Sequence, residues 1–147
     1  MGGTFDILHA GHKALLQRAL EVGDIVLIGL TTDARASKSR NKTQINTYNI
    51  RLANLQDLLK SMKSLDRFQI VPLENDRGPS VVDEDFEAII VSDETKSTAQ
   101  KINKIRLAEG KSELEIVIVP MIKAQDGHRI SSSRIRNKEI DSEGKLT

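Results

Sequence analysis

Asp24-Ile25-Val26-Leu27-Ile28-Gly29-Leu30 is an almost unbroken apolar run. A run of that length and density belongs to a strand buried on both faces of a parallel sheet. Helical periodicity lies on either side of it. Ala14, Leu15, Ala19, Leu20 and Val22 recur at helical spacing from about residue 12 and stop at Gly23, a residue suited to a left-handed helix end. After a basic loop with Lys38, Arg40 and Lys42, Thr47 opens a second helical pattern through Ile50, Leu52, Leu55, Leu58 and Leu59, to about residue 62.

The alternation continues. Phe68–Leu73, Phe86–Ser92 and Leu114–Pro120 read as strands, and residues 95 to 109 as a helix ending at Gly110. Ser132 or Ser133 can cap a last short helix through Arg136. Strands alternating with helices predict an α/β fold, a Rossmann-like open parallel sheet with helices on both faces and ligands at the carboxyl ends of its strands. At 147 residues without a linker or repeat, the chain is expected to form one domain, 1–147.

The beginning does not fit this pattern. A glycine turn in such a fold should follow a buried strand of about five residues, yet only Met1 precedes Gly2. Either the recorded start lies inside the true gene product or the sheet lacks its first strand, and the former is the favoured expectation.

The segment Gly2-Gly3-Thr4-Phe5-Asp6-Ile7-Leu8-His9-Ala10-Gly11-His12-Lys13 carries the chemistry. Glycines let backbone approach an anion, a helix start offers N–H groups and a positive dipole end, and histidines three apart share a helical face. Two ordinary polar residues of a helix start, or two metal ligands, would satisfy the same spacing. With two of the three histidines here and no cysteine or carboxylate cluster adjoining them, phosphate binding is the reading adopted, with no protein-held metal.

Lysine and arginine total 22 against 21 aspartate and glutamate, a net charge of +1, so nothing global argues for nucleic acid or an anionic membrane. The absence of cysteine rules out disulfides, thiolate metal sites and thiol catalysis. No apolar run is long enough for a membrane span, and a cytoplasmic location is expected.

A second cluster, Ile130-Ser131-Ser132-Ser133-Arg134-Ile135-Arg136, places hydroxyls and N–H groups at a helix start, followed by guanidiniums that match phosphate oxygens. Alone it is weak, and an ordinary capped helix would explain it. Together, the two segments resemble the (H/T)xGH nucleotidyltransferases, with ISSSRIR similar to that group's ISSTxxR. Val71-Pro72-Leu73 with Gly78-Pro79, Val91-Ser92-Asp93-Glu94-Thr95, Ile102-Asn103-Lys104-Ile105-Arg106 and Asp126-Gly127 resemble the archaeal and eukaryotic type of phosphopantetheine adenylyltransferase. The resemblance runs from Gly2 to about Asp141.

That resemblance implies transfer of an adenylyl group from ATP, with Mg2+, to 4'-phosphopantetheine. It implies that Thr4 and His12 contact the α-phosphate region, with His12 catalytic, that Gly3 and Phe5 belong to the same nucleotide site, and that His9 holds the β- or γ-phosphate. Ser131, Ser132, Ser133 and Arg134 are implied to hold the leaving pyrophosphate. Lys38 is the expected bridge between nucleophile and α-phosphate, with Lys42 its rival and a solvated basic loop the plain alternative. Arg51, Arg77 and Arg106 are candidates for the acceptor phosphate. As alternatives, Arg51 reads as a surface arginine, Arg77 as part of a solvated loop and Arg106 as a structural ion pair. Asp83-Glu84-Asp85 reads as a solvated acidic turn.

The chemistry agrees, because a phosphate monoester is already anionic and needs positioning and charge neutralisation rather than an activated side-chain nucleophile. Competing expectations are a FAD synthetase or glycerol-3-phosphate cytidylyltransferase of the same superfamily, or a non-catalytic nucleotide-binding module. Oligomeric state is not legible.

Overall fold

The computed structural model describes residues 1–36, 45–74 and 86–147 in full and the backbone of 37–40. Its strands are β1 (Gly2–Gly3), β2 (Val26–Thr31), β3 (Phe68–Leu73), β4 (Ala88–Ser92) and β5 (Glu115–Val119). Its helices are α1 (Ala10–Val22), α2 (Asp33–Arg40), α3 (Tyr48–Ser61), α4 (Lys96–Ala108) and α5 (Ser132–Arg136). All strand pairs are parallel: β1 with β2 and β2 with β3 in one sheet, β4 with β5 in another.

The α/β architecture with parallel strands is as the sequence predicted, but the single open sheet is divided. β1 consists of the two glycines of the turn, Gly2 opposite Gly29 and Gly3 opposite Leu30. The Met1 carbonyl accepts from Gly29 N–H at 2.9 Å and its amine donates to the Leu27 carbonyl at 3.0 Å. So short a strand pairs with β2 alone among the described residues. Side-chain packing holds the two sheets together where a ladder does not. Ile90 of β4 and Val119 of β5 share one buried cluster with Leu16 and Ala19 of α1, Ile28 and Leu30 of β2, and Leu55 and Leu59 of α3.

Successive residues of β4 face opposite ways. Ile90 enters that main core, while Ile89 packs with Phe86, Ile102, Ile105 and Leu114 in a second cluster beneath α4. The β4–β5 pair therefore carries helices on both faces.

Three local details depart from expectation. The segment holding Lys38, read as a basic loop, is the helix α2; Thr32 Oγ1 accepts from Arg35 N–H at 3.3 Å and Asp33 occupies the first turn. Its sequence lacks an apolar stripe, so periodicity could not reveal it. Gly23 is extended at φ −126° rather than left-handed. The end of α1 is capped instead by Arg67, whose guanidinium donates to the Leu20, Gly23 and Asp24 carbonyls at 2.9, 2.6 and 3.0 Å. A cation at that end also complements the helix dipole. Finally, α5 is capped by Ser131, whose hydroxyl accepts from Arg134 N–H at 3.2 Å, and not by Ser132 or Ser133.

The C-terminal residues buttress the start of α1. Ala10 N–H donates to the Ser142 carbonyl at 3.0 Å, Lys13 pairs with Glu143 at 3.1 Å, and Ala10 packs against Ala124, Ile130 and Ile140. No helix among the described residues is long and apolar enough to cross a membrane.

Candidate active site

The turn after β1 enters α1 through a capping box built from histidines. His9 is the N-cap, and its Nδ1 accepts from Gly11 N–H at 3.0 Å. His12 Nδ1 accepts from His9 N–H at 3.3 Å. A ring nitrogen that accepts carries no proton, so each neutral imidazole bears its proton on Nε2. Capping thus assigns the ring proton of each histidine to Nε2, at a helix N-terminus whose polarity suits an anion. The rings lie 3.9 Å apart between centroids. Burial, with a lesser contribution from Arg129, pulls the His9 pKa down to about 4, so His9 is neutral at pH 7.

The glycine between the histidines follows from the same geometry. A Cβ at Gly11 would stand 2.8 Å from His9 Cε1 and 3.0 Å from Nδ1. Only a residue without a side chain lets the His9 ring fold back over the first turn.

Phe5 adopts φ +49°, a left-handed conformation uncommon for an aromatic residue. It is buried at 3% exposure, its ring 5.0 Å from that of His12. Left-handed backbone of this kind persists only where its surroundings over-determine it, and here five contacts do so. Arg51 holds the Thr4 carbonyl at 2.9 Å. Asp6 pairs with Arg136 and accepts from Asn46 N–H at 2.9 Å. Ser132 Oγ accepts from Ile7 N–H at 3.1 Å and donates to the Ile7 carbonyl at 2.9 Å. The serine-rich segment is thereby clasped to the glycine turn, across 125 residues of sequence.

At the carboxyl end of β4, Ser92 N–H donates to Thr95 Oγ1 at 3.1 Å, and Glu94 pairs with Arg129. These groups and the α1 turn enclose a cleft of about 170 Å³. It opens between β1 and β4, at the carboxyl ends of strands from both sheets, the end at which ligands bind in parallel α/β folds.

The cleft brings together Gly3, Thr4, Phe5, His9, His12, Ser131 and Ser132 of the expected site. The others are placed elsewhere. Ser132 lines the wall, but its hydroxyl is engaged by Ile7 rather than presented to a ligand. Ser133 and Arg134 are not among the lining residues. Arg134 instead pairs with Asp126 and Glu139 and donates to the Arg129 carbonyl at 2.9 Å, which holds the Asp126 carboxyl below its ordinary pKa.

Arg51, expected at the acceptor phosphate, is fully buried, with the Thr4 and Asn46 carbonyls, Thr31 Oγ1 and Asp33 as partners. Arg106, the third member of that trio, is buried at the opposite end of the β4–β5 sheet. Its Nε donates to the Ser112 carbonyl at 2.8 Å, beside an Asn103 amide that pairs with both backbone groups of Leu114 at 2.8 and 2.9 Å. Lys38 lies in α2, and its side chain, like Lys42, Arg77 and the acidic turn 83–85, is outside the described residues.

Asp6, Glu94, Thr95 and Arg129 line the cleft without having been singled out as ligands. Their signal was present for Asp6, Glu94 and Thr95, which sit inside the quoted motifs; Arg129 sits just ahead of one. Among the described residues no group of three or more His, Cys, Asp or Glu side chains could hold a metal ion.

A cleft at the β1–β4 junction with a glycine turn, a histidine-capped helix and a serine-capped helix is the site of a nucleotidyltransferase-type fold. The family model described as cytidylyltransferase-like matches residues 1–138, and the chain belongs to that family. Within it, the chain belongs with the phosphopantetheine adenylyltransferases. It is 42% identical to the one from Methanothermobacter thermautotrophicus over 99% of this chain and 87% of that protein. It is 41% identical to the one from Methanopyrus kandleri, over 96% and 88%, and 42% to the one from Pyrococcus abyssi, over 98% and 91%.

Among solved structures, a protein from Archaeoglobus fulgidus described as of unknown function superposes with a TM-score of 0.72 at 35% identity, covering 83% of this chain and 97% of that one. A lipopolysaccharide core biosynthesis protein from Thermoplasma volcanium gives 0.62 at 27% identity, over 80% and 91%.

Proposed function

We infer that the protein transfers the adenylyl group of ATP to 4'-phosphopantetheine, forming dephospho-coenzyme A and pyrophosphate. The observation that carries the reading is the pair of Nε2–H donors that the histidine capping box turns out at the start of α1.

A phosphate oxygen of phosphopantetheine attacks the α-phosphorus, the bond from that phosphorus to the bridging oxygen breaks, and pyrophosphate leaves with the electron pair. No side chain becomes covalently attached. Thr4 and His12 face the α-phosphate, where His12 Nε2–H stabilises charge that grows in the transition state. Because its Nδ1 is held as an acceptor, His12 serves as a donor through Nε2. His9 takes the outer phosphates in the same neutral form. Ser131 receives pyrophosphate at the start of α5, with Ser133 beside it, and Arg134 joins by exchanging the Asp126 carboxylate for a phosphate.

Lys38 bridges the attacking oxygen and the α-phosphate from α2. Arg77 and the cleft residue Arg129 are the guanidiniums for the acceptor phosphate. Magnesium, held by the triphosphate of ATP and by water, would supply charge neutralisation at the phosphates. That arrangement fits the donor set, since the cleft carboxylates Asp6 and Glu94 each face an arginine and the ion prefers substrate phosphates and waters. The reading places the reaction in the cytoplasm.

Pyrophosphate release from ATP and Mg2+ tests it, with phosphopantetheine, FMN and, using CTP, glycerol 3-phosphate as acceptors. Release with phosphopantetheine alone is expected. Release only with FMN, or only with CTP and glycerol 3-phosphate, would move the activity to another branch of the superfamily, and ATP binding without release would make the protein a binding module.

A further inference from the structure

Arg51 has no exposed surface, yet its partners lie directly behind the cleft. Its Nη1 donates both to the Thr4 carbonyl at 2.9 Å and to Thr31 Oγ1 at 3.3 Å. Thr31 Oγ1 in turn donates to Thr4 Oγ1 at 3.1 Å. Nη2 reaches Asp33 Oδ1 at 3.1 Å, and the same oxygen accepts from Tyr48 N–H at 2.8 Å, anchoring the guanidinium to the start of α3.

The direction of these bonds matters. A guanidinium can only donate. Its N–H occupies a lone pair of Thr31 and polarises that hydroxyl, so the Thr31 proton turns toward Thr4. Thr4 Oγ1 then accepts from behind, and its own proton is left to point forward, into the cleft that Thr4 lines. The second bond acts on the backbone. In a trans peptide the C=O and the next N–H point opposite ways, so a Thr4 carbonyl held toward Arg51 aims Phe5 N–H away from it.

We propose that Arg51 is a positioning residue: through Thr31 and the Thr4 carbonyl it sets the Thr4 hydroxyl and the Phe5 N–H as two converging donors toward the phosphates of the nucleotide. The proposal rests on reading the cleft as a triphosphate site. It also accounts for the left-handed backbone at Phe5, which aims an N–H that ordinary turn geometry would direct elsewhere.

The test is a double-substitution cycle on the whole chain, read both on the ATP dissociation constant and on kcat. Thr31→Val keeps the shape and strand preference of the side chain and removes the donor. It should weaken ATP binding by about tenfold, the value of one hydrogen bond to a charged group, and lower kcat. Thr31→Ser should restore both. In a Thr4→Val background, Thr31→Val should have no further effect, because its target is gone. Equal losses in both backgrounds would show a merely structural threonine and overturn the relay, as would a Thr31→Val protein that binds ATP like the parent.

The binding arm needs no turnover, so it stands apart from the acceptor assay that tests the activity itself. The unsubstituted protein offers a further check by amide NMR. ATP should move the Phe5 amide proton downfield, and a Phe5 amide unmoved at saturation would overturn its half of the proposal.

Discussion

Among the described residues two arginines are buried, with opposite consequences. Arg51 and Arg106 are exposed at 0% and 1% respectively, and each donates to backbone carbonyls. Arg106 does so at the Ser112 carbonyl, where the chain enters β5, at the amino end of the strand. Arg51 does so at the Thr4 carbonyl, just past the carboxyl end of β1. Ligands in a parallel α/β fold gather at the carboxyl ends, so a fold-supporting contact at one end also shapes the site, while the same contact at the other end supports the fold alone. Both are buried and both hold a backbone carbonyl; position along the strand direction decides what the residue does.

Substitutions at the two ends should therefore separate turnover from stability. The largest effect is expected at the cleft end. His12→Ala removes an Nε2–H aimed at developing charge and should lower kcat by roughly 10²–10³-fold, as loss of one preorganised donor does. Its cost in stability should be about 1 kcal/mol, the value of a lost cap. A kcat within a few fold of the parent would remove His12 from the chemistry.

Next comes the far end. Arg106→Ala strands the Ser112 carbonyl and empties a packed volume, and should cost about 3 kcal/mol of unfolding free energy. Asn103→Ala leaves both backbone groups of Leu114 unpaired, at about 2 kcal/mol. Denaturant melts measure both losses, and kcat per folded molecule should stay at the parent's value. A fall in kcat below the folded fraction would break the comparison.

Gly11→Ala is smaller and sharper. Alanine favours a helix over glycine by about 1 kcal/mol, but its Cβ would press on the His9 ring. Turnover should drop about tenfold, as small misplacements near the reacting centre do, with little change in melting temperature. Full activity would show that the His9 ring position is unimportant.

The last effect vanishes at neutral pH. The folded pKa of His9 is about 4 and its ordinary value about 6.5, so between those values the unfolded chain binds the extra proton. Stability from His9 is then complete above pH 6.5, declines as pH falls toward 4, and levels below that. Asn at position 9 retains a capping side chain without titrating. Melting temperatures of His9→Asn should therefore fall less steeply over that window than those of the parent. Burial also lowers the Met1 amine to about 6, but it titrates in both proteins and cancels in the difference. Parallel curves would contradict the buried neutral imidazole.

The elements were legible where apolar period and capping chemistry agree. β2, α3 and β5 lie within a residue or two of their expected limits, and the His-x-Gly-His segment announced a helix start bearing donors. Helix α2 was not legible, having no apolar stripe, and neither was Arg67 as the cap of α1, because its partners lie more than forty residues away. Site residues divided the same way. His9, Gly11 and His12 form one local unit whose spacing states its geometry. An arginine in a list of basic candidates carries no such mark, and Arg51, Arg106 and Arg134 look alike until their neighbours are seen.

By itself, then, the sequence determined the order of strands and helices apart from α2, the two signature segments and the chemistry those segments suit, since each rests on residues within a few positions of one another. Only the tertiary structure decided that Ser132 clasps Ile7, that Arg136 braces Asp6, that Arg129 meets Glu94 across the cleft, and that Arg51 stands behind Thr4. Those contacts join residues between 35 and 130 positions apart, and side-chain hydrogen bonds at such separations depend on how the helices and strands pack, which no local pattern encodes.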